Sequence, residues 1–138
     1  MADRQSPVRW RLYVITDERL SRGRSHLQIA EAAIRGGADV VQLRDKTASS
    51  RRLYEIALQV RCLTREAEVP FIVNDRLDVA LAADADGVHI GREDLPASVV
   101  RRIIGPGKIL GVSAETPRIL PGPRILRTTD AGRSSRPI

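Results

Sequence analysis

The sequence predicts an α/β fold built on parallel strands. Three observations carry this. Five short apolar runs alternate with stretches of helical periodicity along residues 12–112. The runs are apolar almost throughout, as strands are when both faces of a sheet are covered. The connections between runs are long enough for a helical crossover rather than a hairpin turn.

The elements follow in order. The first strand is Leu12–Tyr13–Val14–Ile15. Ser25 then suits a helix N-cap, and Gln28 three residues on completes a capping box. Leu27, Ala30, Ala33 and Ile34 have helical spacing, and Gly36–Gly37 supplies the stop. The second strand is Val40–Val41–Gln42–Leu43. A longer helix follows Ser49–Ser50, with Leu53, Ile56, Ala57, Val60, Leu63 and Ala67 on one face. Pro70 precedes the third strand, Phe71–Ile72–Val73, and a short helix spans about Leu77 to Ala83. The fourth strand is Gly87–Val88–His89–Ile90. Pro96 sits in the first turn of the next helix, where proline is favoured, and that helix ends near Gly105. The fifth strand is Ile109–Leu110–Gly111–Val112.

This pattern alone permits a doubly wound sheet or a barrel. No G-x-G-x-x-G follows the first strand, which counts against dinucleotide binding. Gly105–Pro106–Gly107–Lys108 lacks the spacing of a phosphate-binding P-loop. Gly111–Val112–Ser113 lacks the second glycine of a nucleophile elbow, because position 115 is Glu.

The pattern divides the chain at residue 116. Residues 117–138 hold four Pro, two Gly and five Arg, and the tetrapeptide Pro-Arg-Ile-Leu occurs there twice. Two readings stand for this stretch: a genuine irregular tail, or a shifted reading frame. The same stretch carries +4 of the net charge of +6. The positive balance is thus a tail property, and with only 3% aromatic residues a dedicated nucleic-acid function is not expected. No apolar run reaches the ~18 residues a membrane helix needs. No signal-peptide pattern follows Met1, and Cys62 is the single cysteine. The expected setting is cytoplasmic.

Polar groups gather at the C-terminal ends of the strands, where barrel and open-sheet α/β enzymes both place their chemistry. Gln42, Arg44 and Lys46 alternate, so in extended backbone they share a side. Two cations with an amide donor suit a pyrophosphate, the arginine as a fork and the lysine as a point charge. Asn74–Asp75 ends the third strand, and Gly91–Arg92–Glu93–Asp94 follows the fourth. Asp75 and Asp94 could together hold one Mg²⁺, a hard cation that bridges substrate phosphates. Ser113, after the fifth strand, could donate to a phosphate oxygen.

Each residue also has a simpler role open to it. Asp75 and Asp94 both precede short helices, where aspartate is a favoured cap. Arg44 and Lys46 equally suit a solvated loop. His89, inside an apolar strand, reads first as a packed or hydrogen-bonded histidine. His26 reads as a surface residue at a helix start, Cys62 as inert, and Asp45 and Glu93 as facing water.

Taken together, five segments resemble the thiamine phosphate synthase family. They are Tyr13-Val-Ile-Thr-Asp17, Gly36-Gly-Ala-Asp-Val-Val-Gln-Leu-Arg-Asp-Lys46, Val73-Asn-Asp-Arg76, Ala85-Asp-Gly-Val-His-Ile-Gly-Arg-Glu-Asp-Leu-Pro96 and Gly111-Val-Ser113. Any one is weak; five in order at strand ends are specific, and they span residues 12–116.

The resemblance implies a TIM (β/α)₈ barrel, of which residues 1–116 would form an N-terminal (βα)₄β portion. It implies a Mg²⁺-dependent transferase. An aminopyrimidine methyl pyrophosphate loses pyrophosphate, and the nitrogen of a thiazole phosphate takes its place. Matched by position, Gln42 and His89 would line the pyrimidine pocket. Arg44, Lys46, Asn74 and Ser113 would contact the pyrophosphate, and Asp75 and Asp94 would hold Mg²⁺. Arg92 departs from the family's usual Gln. The family's last three strands, whose loops seat the thiazole phosphate, have no counterpart in the pattern. Open sheet edges at the first and fifth strands are therefore expected, with homo-oligomers possible as in relatives. Two alternatives remain beside the transferase: a metal-free thiazole tautomerase-like isomerase, and an inactive fragment.

Overall fold

In the computed structural model, residues 9–113 are described, and the Pro/Arg-rich stretch over 117–138 lies outside them. Within those bounds the chain runs β1 (Tyr13–Thr16), α1 (His26–Arg35), β2 (Val40–Leu43), α2 (Ser50–Ala67), β3 (Phe71–Asn74), α3 (Leu77–Ala82), β4 (Gly87–Ile90), α4 (Ala97–Ile104) and β5 (Ile109–Val112). All neighbouring strands pair in parallel.

The sheet order is β1-β2-β3-β4-β5. This order separates the two topologies that the sequence pattern leaves open. A doubly wound sheet reverses its strand order at a switch point. A barrel adds each strand beside the last, with its helices on one side. The strand order here is sequential, and α1, α2 and α3 pack in succession. The arrangement is an arc of a barrel wall. Among the described residues β1 and β5 are its two edges.

The arc has two faces with different chemistry. Val41, Leu43, Phe71, Val73, Val88, Ile90, Leu110 and Val112 join the core with helix residues such as Leu53, Ile56 and Val60. The alternate positions lie on the opposite, concave face: Gln42 pairs with Ile72 across β2–β3, and His89 pairs with Asn74 on β3 and Gly111 on β5. Ile15, paired with Gln42, is 44% exposed on that side.

Local sequence explains the element ends. Ser25 accepts from the backbone N–H of Gln28, and Gln28 Oε1 accepts in return from Ser25 N–H, so the capping box forms. Ser49 caps α2 by one bond, its hydroxyl accepting from Arg52 N–H. Gly37, at φ +93°, takes the left-handed turn after α1 that a Cβ would strain. Two aspartates clamp strand starts at the opposite end from the site. Asp39 accepts from the N–H groups of Arg11 and Leu12, at 2.7 and 2.9 Å. Those bonds, from Leu12 and then Arg11, hold its carboxyl below the usual range. Asp86 accepts from Phe71 N–H at 2.7 Å and from the Arg61 guanidinium at 2.9 and 3.3 Å.

Several boundaries differ by a residue from the sequence reading; β1 ends at Thr16 and β3 at Asn74, each one residue later. The first strand begins at Tyr13 rather than Leu12, because the Asp39 clamp takes Leu12 N–H before the β2 ladder begins. Pro96 stands at the N-cap of α4 rather than in its first turn. It has no N–H to leave unpaired, and its carbonyl accepts from Val99 and Val100.

Candidate functional site

The site lies along the C-terminal ends of the five strands. Its first contact is on the concave face, where Gln42 is 2% exposed and its amide nitrogen donates to the Tyr13 hydroxyl at 2.7 Å. Burial, against the opposing Gln42 hydrogen bond, pushes the Tyr13 phenol up to about 12. That pair fixes the amide orientation at the floor of the site.

At the end of β4, His89 Nε2 and Ser113 Oγ lie 2.7 Å apart. Ser113 is positioned by its N–H, which donates to the Ile90 carbonyl at 3.0 Å. The imidazole fits because Gly111 lies beside it: a Cβ there would come within 2.3 Å of His89 Nδ1. Gly87 works likewise one register step lower, where a Cβ would lie 2.2 Å from the Ile109 carbonyl oxygen. Asn74 pairs in register with His89, placing both on the concave side at the strand ends.

Above this floor stand the charges. Arg44 Nη1 donates to Asp17 Oδ2 at 2.9 Å, joining the loops after β1 and β2. Lys46 Nζ donates to Asp75 Oδ2. Asp75 in turn lies close enough to Asp94 for each carboxyl to shift the other's titration. Three loops, after β2, β3 and β4, thus meet at one pair of carboxylates. Asp75 adopts φ +64°, a left-handed conformation unusual for a residue with a side chain.

The carboxylate pair behaves as two like charges held close. Burial would raise Asp75, yet the Lys46 hydrogen bond and then neighbouring Asp94 outweigh it and hold it below the usual range. Burial raises Asp94, the Gly91 N–H bond opposes it, and neighbouring Asp75 adds to the rise. One member of the pair stays ionised while the other holds a proton more readily.

The capping role is not taken by either aspartate. The N-cap of α3 is Arg76 and that of α4 is Pro96, neither with a side-chain cap bond. Asp94 instead accepts from Gly91 N–H at 2.7 Å, folding the loop after β4 back on itself. Arg44 and Lys46, partly exposed, each pair with a carboxylate, on Asp17 and Asp75.

Two residues that the sequence reading places at the surface belong to the interior. His26 is 1% exposed and Asp45 is half-buried. His26 Nδ1 lies 2.7 Å from Thr16 Oγ1, and Nε2 lies 2.9 Å from Asp45 Oδ2. Burial would raise Asp45, but the His26 bond and the N–H groups of Thr47 and Ala48 prevail and set it at about 2. A sequence signal for this does exist: carried past β2, alternation points Asp45 away from Arg44 and Lys46, toward the helix layer.

Glu18, His26 and Asp45 also bring three potential ligand atoms within 4.8 Å of one another. Both imidazole nitrogens there are already hydrogen-bonded. A cleft of 70 Å³ runs beside this group, lined by Asp17, Glu18, Arg44 and Lys46 among others. A larger cavity of 390 Å³ lies at the opposite end of the sheet, around Pro70, Asp86 and Lys108. Its lining serves the strand clamps and the turn before β5, where Lys108 Nζ donates to the Ala85 carbonyl.

A sequentially ordered parallel sheet with its helices packed in succession defines the class as an α/β-barrel protein. The chain belongs to the thiamine monophosphate synthase family, whose sequence model matches residues 12–120. It is 64% identical over 107 residues to the thiamine-phosphate synthase of Chloroflexus aurantiacus, covering 78% of this chain and 49% of that one. It is 55% identical over 106 residues to that of Natronomonas pharaonis, covering 77% and 50%. Among solved structures, thiamine phosphate pyrophosphorylase from Pyrococcus furiosus matches with a TM-score of 0.71 at 46% identity, over 78% of this chain and 51% of that one. The chain spans about half the length of the curated relatives it matches. No helix of the described residues is long and apolar enough to cross a membrane.

Proposed function

We propose that this chain carries the pyrimidine and pyrophosphate half of a thiamine phosphate synthase site. The observation that supports the reading best is the meeting of Lys46, Asp75 and Asp94 at the ends of three neighbouring strands. The reaction would join hydroxymethylpyrimidine pyrophosphate to thiazole phosphate. The bond between the pyrimidine methylene and the bridging oxygen breaks, its electron pair leaves with pyrophosphate, and the thiazole nitrogen bonds to the methylene.

Charge decides which residues matter. Negative charge develops on the departing pyrophosphate, and Arg44 and Lys46 would be the cations that stabilise it. Asn74 and Ser113 add neutral donors. Positive charge develops on the pyrimidine methylene, beside the floor formed by Gln42 and His89. No protein nucleophile is required.

The carboxylate pair fits Mg²⁺. Both donors are hard oxygens, they sit side by side, and they are destabilised as a pair unless a proton or cation intervenes. Asp75 and Asp94 would hold the ion, and bound there it would neutralise pyrophosphate oxygens. This carboxylate pair also favours the transferase over the metal-free tautomerase. A cytoplasmic setting and assembly into homo-oligomers go with the same reading.

The test is pyrophosphate release by the purified chain, with both substrates and Mg²⁺. Release that needs the thiazole phosphate supports the transferase. Binding of pyrophosphate without turnover would show the half-site alone, and absence of both would leave an inactive fragment.

A further inference from the structure

We infer that His26 is a positioning residue that holds the Arg44–Lys46 loop in its binding geometry; the inference rests on the pyrophosphate role proposed for that loop. His26 stands on α1, in the helix layer, and its side-chain bonds go to Thr16 and Asp45 rather than to the concave face. Its contacts reach the loop from behind at several points.

The hydrogen-bond directions follow from the donors. Arg44 N–H donates to Thr16 Oγ1 at 3.3 Å. His26 Nδ1 lies 2.7 Å from the same hydroxyl. The Asp45 carboxylate can only accept, so Nε2 carries the proton it donates to Oδ2 at 2.9 Å, and Nδ1 accepts from Thr16 Oγ1. The other oxygen, Asp45 Oδ1, accepts from Thr47 N–H at 2.9 Å and Ala48 N–H at 2.8 Å. The His26 backbone N–H is tied to Glu18 Oε2 at 3.0 Å.

One buried imidazole thus connects the backbone of residue 44, the side chain of residue 45 and the backbone of residues 47 and 48. Arg44 and Lys46 are the residues left projecting from this frame, toward Asp17 and Asp75. Without the imidazole, Asp45 Oδ2 would lose its His26 donor, Oδ1 would keep only Thr47 and Ala48 of its own loop, and the tie from the loop to α1 would be gone.

The experiment uses the full chain labelled with ¹⁵N. In the wild type, long-range ¹⁵N–¹H correlations should show His26 as the Nε2–H tautomer; an Nδ1–H tautomer would overturn the proposal. Two variants follow. His26→Gln keeps an N–H donor that can reach Asp45, and His26→Leu has no donor. Amide exchange at Thr47 and Ala48, and affinity for inorganic pyrophosphate with Mg²⁺, should each worsen about tenfold or more in His26→Leu. Both should recover largely in His26→Gln, which a merely space-filling role would not produce. Equal exchange at Thr47 and Ala48 in all three proteins overturns the proposal. If the wild type binds no pyrophosphate, the site reading fails, while loop exchange still decides whether His26 holds the loop. If His26→Leu does not fold, the wild-type tautomer and His26→Gln carry the decision.

Discussion

Gly111 is the space that His89 occupies. A Cβ at position 111 would sit 2.3 Å from Nδ1 of the imidazole, closer than any real contact. Gly111→Ala must therefore push the ring away from Ser113 or distort β5. We expect a cost of about 1–3 kcal/mol, the usual range for overpacking. In a His89→Ala background the same change should cost little, because the space is then open. Chemical denaturation of the two single variants and the double variant measures this coupling. Equal costs in both backgrounds would show that the clash lies elsewhere. Gly87→Ala makes a useful contrast, since its Cβ would meet the Ile109 backbone, which cannot rotate aside.

The carboxylate pair makes a prediction about metal. Asp94 is held above its ordinary range first by burial and then by Asp75, so its ionised form is unfavourable in the folded chain. A group raised in this way becomes less unfavourable as pH falls through its folded pKa. Asp94→Asn should therefore leave the metal-free chain as stable at neutral pH, or more stable. It should also abolish stabilisation by Mg²⁺. For the wild type, a bound Mg²⁺ at a hundredfold excess over its dissociation constant should add about 2.7 kcal/mol. Thermal melting with and without Mg²⁺ checks both parts. An Asp94→Asn variant still stabilised like the wild type would remove the metal assignment.

The capping box is a test of local sequence. Ser25→Ala removes an acceptor for Gln28 N–H and leaves Gln28 reaching back alone. The loss should be about 1 kcal/mol. Ser25→Asp, which keeps an acceptor at the helix N-terminus, should restore most of it. Denaturant midpoints of the wild type and the two variants give the comparison. No difference between the wild type and Ser25→Ala would mean that the box is frayed in solution.

Much of this architecture is legible in the residues themselves. Short apolar runs such as Val40–Leu43 and Gly87–Ile90 mark the strands, and Ser25, Ser49 and Gly105 mark helix ends, because these signals act over a few residues. The strand-end charges are also legible, since a strand's side-chain alternation carries Arg44 and Lys46 to one side. Strand order is not, because apolar runs look alike in a barrel and a doubly wound sheet. The interior placement of His26 is not legible either. It depends on Thr16 and Asp45, residues 10 and 19 positions away. A polar residue one step after an N-cap looks like surface until its tertiary partners are known. The same holds for Asp75 and Asp94. Helix capping is a local alternative, and only the fold brings Lys46 to displace it.

Asp45 should leave a signature in acid. Burial works against its ionised form, but His26 and the N–H groups of Thr47 and Ala48 set its pKa at about 2. An unfolded aspartate titrates near roughly 3.9. The folded value is the lower one, so its contribution to stability is present above the unfolded pKa. It is lost as pH falls through the folded one. Asp45→Asn removes that titration, and the acid limb of a stability–pH curve should flatten between those two values. The remaining slope belongs to Asp75 and other carboxylates held below their ordinary range. At neutral pH the same variant should be less stable, because Asn retains only a neutral acceptor for His26. Urea midpoints measured from neutral pH down through the acid range test both statements. An Asp45→Asn curve parallel to the wild type throughout would show that the carboxylate is not held by His26 in solution.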